Sequence, residues 1–301
     1  MIHPRIAARW LNTPLLFHPG KAAAILAGVG GRVIGGQVEF SGAVPVAHAA
    51  FSNGRPSMGT VGDRLGRELG SGRAFDMVGN VAIIPVEGSL VHKGAWLESE
   101  SGETSYQGLQ TQVLRAAADS KVKGVVFEVD SYGGEVSGAF ETSDMIASLS
   151  QVKPTIAILS DEAYSAGYLM ASACRSIFVP AQGGCGSIGV ITMHTDMSAA
   201  LEASGVKVTI LAAGQHKADG NPFGPLPEEV ATTIRAELAA AREMFAGRVA
   251  AYRGKRLSFQ DAMNTEAQIY VGAEAVARGL ADATGHPSDV FQAFITAINR
   301  A

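Results

Sequence analysis

The chain has 301 residues, 47% hydrophobic and 17% charged, with a net charge of -4. This balance excludes a disordered chain and gives no electrostatic ground for nucleic-acid binding. Two cysteines, Cys174 and Cys185, are too few for a disulfide framework and lack metal-ligand spacing, as expected in a reducing compartment.

Residues 1–75 are rich in Gly, Ala and Pro with weak periodicity, and are expected to form a partly ordered or flexible N-terminal arm. Within it, Ala7 to Leu11 and Lys21 to Leu26 read as short helices, and Gly54 to Gly72 as a flexible, Gly- and Arg-rich stretch. The first residues lack the basic and apolar regions of a secretory signal, and no apolar run is long enough to span a bilayer. A cytoplasmic protein is expected.

Residues 76–301 read as one domain. Val81 to Val86 is a predicted strand that turns at Gly88, and Tyr106 to Ala118 has the spacing of a helix. Val122 to Val129 is a nearly continuous apolar run, as in a strand covered on both faces. Val136 to Leu149 is helical, Thr155 to Leu159 a strand, and Ala166 to Cys174 a helix. Ile177 to Val179 and Ser187 to Met193 read as strands, Met197 to Ser204 as a helix, and Val206 to Ala212 as a strand. A long amphipathic helix spans Pro227 to Tyr252, then short helices cover Leu257 to Met263 and Ala273 to Arg278. Strands alternating with helices predict an α/β protein with parallel, right-handed crossovers.

Four segments carry candidate chemistry. Asp130-Ser-Tyr-Gly133-Gly134-Glu135-Val136 reads as a strand-to-helix junction whose paired glycines leave backbone N–H groups open to a developing oxyanion. Ser165 lies where a strand turns into a small-residue helix, which suits a nucleophile but, taken alone, suits a helix cap better. Ser187 lies in the Gly-rich turn Gly183-Gly-Cys-Gly-Ser-Ile-Gly-Val190, which in isolation suits a turn serine bonded to backbone more than a group that orients an amine. Lys217 follows a predicted strand, 52 positions after Ser165. A lysine serves as general base near neutral pH only when burial lowers its pKa from about 10.4 to about 7–8. His216 invites a Ser-His pairing instead. Neighbours on an extended segment point opposite ways, so only one of the two faces the site.

In order and spacing, Asp130 to Val136, Ser165-Ala-Gly-Tyr168, Gly186-Ser-Ile-Gly-Val190 and Lys217 together resemble the signal-peptide-peptidase (protease IV) family of Ser-Lys serine peptidases. The stretch His216 to Phe223 with Leu226-Pro-Glu-Glu229, and Met244-Phe245 with Val249, Ala251 and Tyr252, is similar to its phage branch, the capsid-assembly or prohead proteases. The resemblance covers roughly residues 78–285. It implies a crotonase/Clp-protease-like fold of stacked ββα units, with parallel sheets, flanking helices and an oligomer that encloses the sites. It also implies Ser165 as nucleophile, Lys217 as general base and Ser187 as its partner. Gly133 or Gly134, with the Ser165 N–H, would form the oxyanion hole. Neither metal nor cofactor follows from it. Its expected substrates are scaffold or capsid proteins, processed in the host cytoplasm or the assembling prohead, without nucleic acid or membrane as partner. Tyr132 stands where many members have proline and is expected to reshape the substrate groove. Two alternatives stay open: a cytosolic peptide-degrading peptidase of the same family, and a crotonase-type acyl-CoA enzyme.

Overall fold

In the computed structural model, the described residues are 14–17, 74–93 and 103–300. The expected helices at residues 7–11 and 21–26 and the stretch 54–72 lie outside them. The elements run β1 (Leu15–Phe17), β2 (Asp76–Val78), β3 (Val81–Val91), β4 (Glu103–Ser105) and α1 (Tyr106–Ala118). Next come β5 (Gly124–Glu135), α2 (Ala139–Val152), β6 (Thr155–Tyr164), α3 (Ala166–Ser172), β7 (Ser176–Val179) and β8 (Gly184–Gly186). The last part holds α4 (Ser198–Ala203), α5 (Glu228–Arg253), α6 (Phe259–Asn264), β9 (Ile269–Val271), α7 (Gly272–Ala277), β10 (Ala283–Thr284) and α8 (Pro287–Arg300).

The central strands β3, β5, β6 and β7 are parallel neighbours, and β10 extends the row in parallel beside β7. β2 closes the other edge antiparallel to β3. The fold is thus α/β with a mostly parallel sheet and flanking helices. The period-2 pleat sorts side chains to two faces. Ala82, Ile84, Val86, Val125, Phe127, Val129, Ala157 and Leu159 join the main core with Leu109, Val113, Ile146 and Leu169 of the helices. Val81, Ile83, Val126, Ile156 and Ile158 face the other way, against Phe291 and Ile295 of α8. Both faces are therefore covered, which is why these strands read as unbroken apolar runs. The sequence reading passed over α8, although Val290, Phe291, Phe294, Ile295 and Ile298 give it a helical apolar stripe.

Two strands run further than expected, and both extensions matter for the site. β3 passes through Gly88, which takes φ +65°, with a shift of register between Glu87 and Ser89 rather than a turn. β5 continues through Gly133 and Gly134 to Glu135, and α2 begins only at Ala139. The glycine pair therefore belongs to a strand and not to a helix start, because β3 on one side and β1 on the other hold it in the ladder. The strand-to-helix junction expected at this pair is therefore not formed.

Two other predicted strands do not form. Between Ser187 and Met193 the pairing is a single bridge from Ile191 to Leu15. Val206 to Ala212 has no ladder partner among the described residues, and Val206, Val208, Ile210 and Leu211 are exposed, Leu211 by 94%. An apolar run adopts a stable strand only where another edge supplies its hydrogen bonds.

The carboxyl-terminal third is stapled to the sheet by a buried charge. The Arg253 side chain, at the end of α5, is fully buried and forks onto Asp282, at 2.8 Å (Nη1–Oδ2) and 3.1 Å (Nη2–Oδ1). Asp282 also accepts from the Ile177 N–H at 2.7 Å and from Arg256 at 2.9 Å. Burial raises the Asp282 carboxyl, but the hydrogen bond and charge of Arg253, the Ile177 N–H and Arg256 outweigh it and hold it below its ordinary value. A depressed folded-state pKa contributes stability that is present above the unfolded value of about 3.9 and lost as pH falls through the folded one. Arg253→Ala is expected to cost about 1.5–3 kcal/mol, because it removes the buried, charge-assisted fork while Arg256 and the Ile177 N–H still hold the carboxylate. Asp282→Asn should also be less stable than the parent at pH 7, with the gap narrowing below about pH 4. Urea unfolding at pH 7 and pH 3 checks both; a gap that is the same at both pH values contradicts the assignment.

Candidate active site

Ser165 sits between β6 and α3 with φ 54° and ψ -118°, a conformation that a non-glycine residue rarely adopts. Its neighbours hold it there. The Ser165 N–H donates to the Gly186 carbonyl of β8 at 2.9 Å, and its own carbonyl accepts from Leu169 N–H at 2.9 Å, closing the first turn of α3. A sharp, hydrogen-bonded bend of this kind turns the side chain out of both elements. The Ser165 Oγ reaches the Gly189 carbonyl at 3.5 Å, and the residue is fully buried. Helix α3 packs so closely below it that a Cβ on Gly167 would lie 2.6 Å from the Ser131 carbonyl oxygen. The small residues after Ser165 are thus a packing requirement.

Gly133 stands against this serine. A Cβ built on it would lie 2.0 Å from the Leu16 carbonyl oxygen and 3.0 Å from Ser165 Cβ, and its φ of +106° independently demands glycine. The Ser131 hydroxyl, fully buried, donates to the Gly88 carbonyl at 2.7 Å and accepts the Gly133 N–H at 3.2 Å. Of the N–H groups named for an oxyanion, those of Gly133 and Ser165 therefore already have acceptors within the chain. Ser187 follows Gly186, the residue that holds the Ser165 N–H. Ser187 is buried with φ 56°, and its N–H donates to the Gln268 carbonyl at 2.9 Å. Ser165, Gly133, Gly134 and the Gly186–Gly189 turn thus form one cluster, drawn from β5, β6 and the segment after β8.

Lys217 is placed differently. It lies on an exposed turn whose N–H closes onto the Gly214 carbonyl at 3.1 Å. Among the described residues no hydrogen bond joins Lys217 to Ser165 or Ser187. The turn also removes the premise that His216 and Lys217 point opposite ways on an extended segment: both are exposed, and His216 pairs with Asp219 at 2.9 Å. Two links tether the stretch that follows, from His194 Nε2 to the Asn221 carbonyl at 2.9 Å and from Met197 N–H to the Pro222 carbonyl at 2.7 Å.

Cys185, paired with Ala163 across β6 and β8, is the thiol on the strand beside the site. Burial pushes its thiol up to about 12, outweighing the opposing pull of Arg253. It is therefore a packing residue, since the thiolate is the reactive form.

The sequence reading did not identify Leu15 and Leu16, both fully buried beside the site, or Ser131. The signal available for the first pair was the apolar triplet Leu15-Leu16-Phe17 after Pro14. Tyr132, singled out as a groove wall, packs with Ile191 and Met193 around Leu15.

Residues 147–298 match the model of peptidase family S49. The chain is 36% identical over 286 residues to the capsid assembly protease C of Escherichia phage lambda, covering 95% of this chain and 64% of that protein. It is 37% identical over 295 residues to the head-tail preconnector protein GP5 of Enterobacteria phage P21, covering 98% of this chain and 57% of that one. It thus spans less than two thirds of the length of either relative. Among solved structures it is similar to a ClpP1 mutant from Listeria monocytogenes, with a TM-score of 0.42 and 13% identity, covering 69% of this chain and 92% of that one.

Proposed function

This chain belongs to peptidase family S49, and we propose that it is a serine endopeptidase that processes scaffold or capsid proteins during phage head maturation. The observation that carries the reading is Ser165 itself: a buried hydroxyl on a strained strand-to-helix bend, beside a glycine-paired strand edge that accepts an extended chain. Structural serines gain nothing from such strain, whereas a nucleophile gains a fixed direction of attack. In the proposed reaction the Ser165 Oγ attacks the scissile carbonyl and the Lys217 amine takes its proton. The ammonium then returns that proton to the leaving amine, and water releases the acyl group. The oxyanion is assigned to the N–H groups of Gly133, Gly134 or Ser165. Those of Gly133 and Ser165 must exchange their present acceptors to serve.

Lys217 is exposed in the single chain, and a lysine works as general base where burial disfavours its charged form, so the role needs cover. We assign that cover to a second copy of the chain, seated on the exposed apolar run Val206 to Leu211, in a homo-oligomer. Ser187 is proposed to hold the amine once it is enclosed. The described residues include no helix long and apolar enough to cross a membrane. The proposed location is the host cytoplasm or the assembling prohead.

The test is co-expression with the scaffold and major capsid proteins of the same phage. Discrete scaffold fragments are expected with the parent chain and none with Ser165→Ala. If the scaffold survives while short unstructured peptides are digested, the maturation role fails and a general peptide-degrading role replaces it.

A further inference from the structure

We propose that β1 is an intramolecular occupant of the slot that receives substrate, so that a peptide must displace Leu15–Phe17 before Ser165 can act. The inference rests on the reading of Ser165 as nucleophile. It starts from where three residues lie. β1 pairs antiparallel with the last turn-free stretch of β5, Leu15 opposite Glu135, Leu16 opposite Gly134 and Phe17 opposite Gly133. On its other side Leu15 exchanges two hydrogen bonds with Ile191, its N–H to the Ile191 carbonyl at 2.7 Å and the return bond at 2.9 Å. The triplet is thus held between two backbone edges, and each edge pairs with one chain at a time.

The slot lies directly at the serine. The Leu16 carbonyl oxygen and Ser165 Cβ both crowd the single point where a Gly133 side chain would begin. The two leucines are fully buried on opposite faces of the strand. Leu15 enters a small pocket of Tyr132, Ile191 and Met193, while Leu16 joins the main core. At about 3.3 Å per residue the triplet fills about 10 Å of the slot. An extended substrate therefore needs the same edges, the Leu15 pocket and the place in the core that Leu16 fills. The segment it displaces defines its chemistry: an extended chain with consecutive large aliphatic residues.

The closing experiment ties β1 down in the full chain. Leu15 and Ile191 form a hydrogen-bonded antiparallel pair, for which Cα atoms lie about 5.5 Å apart, within disulfide range. Leu15→Cys with Ile191→Cys should cross-link on oxidation. In the oxidised protein, Ser165 labelling by a leucyl-leucyl phosphonate, which must occupy the slot, is expected to slow at least about tenfold, with full recovery in dithiothreitol. Equal rates before and after reduction overturn the inference and leave Ser165 as nucleophile intact. Failure to cross-link also overturns it, because β1 then does not lie against Ile191. Absence of labelling in the reduced form and in the unaltered chain removes the Ser165 reading, and the inference with it. A second measurement needs no variant. When a leucyl-leucyl phosphonate reacts with the unaltered chain, hydrogen exchange at the Leu15 and Leu16 amides should accelerate at least about tenfold. Unchanged exchange on a fully labelled chain is the contrary result.

Discussion

Ser165→Ala is expected to lower cleavage of a scaffold protein by at least about 10⁴-fold while the fold persists, since knocking out the nucleophile of a serine peptidase costs on this scale or more. The substitution removes one oxygen, whose hydrogen bond within the chain is the long one to Gly189 at 3.5 Å. The backbone bonds that impose φ 54°, from Ser165 N–H to Gly186 and from Leu169 N–H to Ser165, do not involve that oxygen. The melting temperature should therefore move little, and loss of activity would report chemistry and not unfolding. Fluorophosphonate labelling and intact-mass measurement decide the point. Labelling that persists unchanged in Ser165→Ala overturns the nucleophile assignment, as does retained scaffold cleavage.

Lys217→Arg should be as inactive as Lys217→Ala, with turnover down about 10²–10⁴-fold, the usual contribution of a general base. Guanidinium keeps its proton throughout the working range, so the conservative replacement preserves charge and abolishes the function. Lys217 is exposed in the single chain, so stability should stay within about 0.5 kcal/mol of the parent. That separates loss of the base from loss of the fold. His216→Ala should retain activity. Its partner Asp219 is local and both side chains are solvated, so the pair has no evident path to Ser165. Substantial activity in Lys217→Arg, together with loss in His216→Ala, would replace the proposed dyad with a Ser-His site. Because the cover over Lys217 is assigned to another copy, dilution should lower specific activity as light scattering reports dissociation. Full activity of a monomer contradicts that assignment.

The glycine pair shows how much of such a site is local. Gly133-Gly134 next to Asp130 announced a place where backbone comes close, and the structure has Leu16, Leu90 and Ser165 crowding it. What the local pattern got wrong was the element. A Gly-Gly step after an apolar strand looks like its end, since glycine weakens an isolated strand. Here flanking chains from residues 15–17 and 89–90 keep the ladder going. The run Val206 to Ala212 fails in the opposite sense. Its composition is that of a strand, but no edge in the described part of the chain meets it.

What depends on neighbours along the chain was readable from the residues alone. The alternation of apolar runs and helical stripes set the α/β class, and the helix boundaries at Tyr106–Ala118 follow from local periodicity and from the Ser105 cap, whose hydroxyl accepts the Gly108 N–H. The order of Gly133, Ser165, Ser187 and Lys217 was likewise legible as a candidate site, and its chemistry is the proposal made above. Which backbone edges meet was set by the packing of the folded chain. It strained Ser165 between Gly186 and Leu169, buried Cys185 out of reactivity, and seated Leu15–Phe17 against Gly133–Glu135, more than one hundred residues away in sequence. Side-chain periodicity records which face of an element is apolar. The partner of an N–H or carbonyl is chosen in space, by whichever chain the packed core brings to that edge.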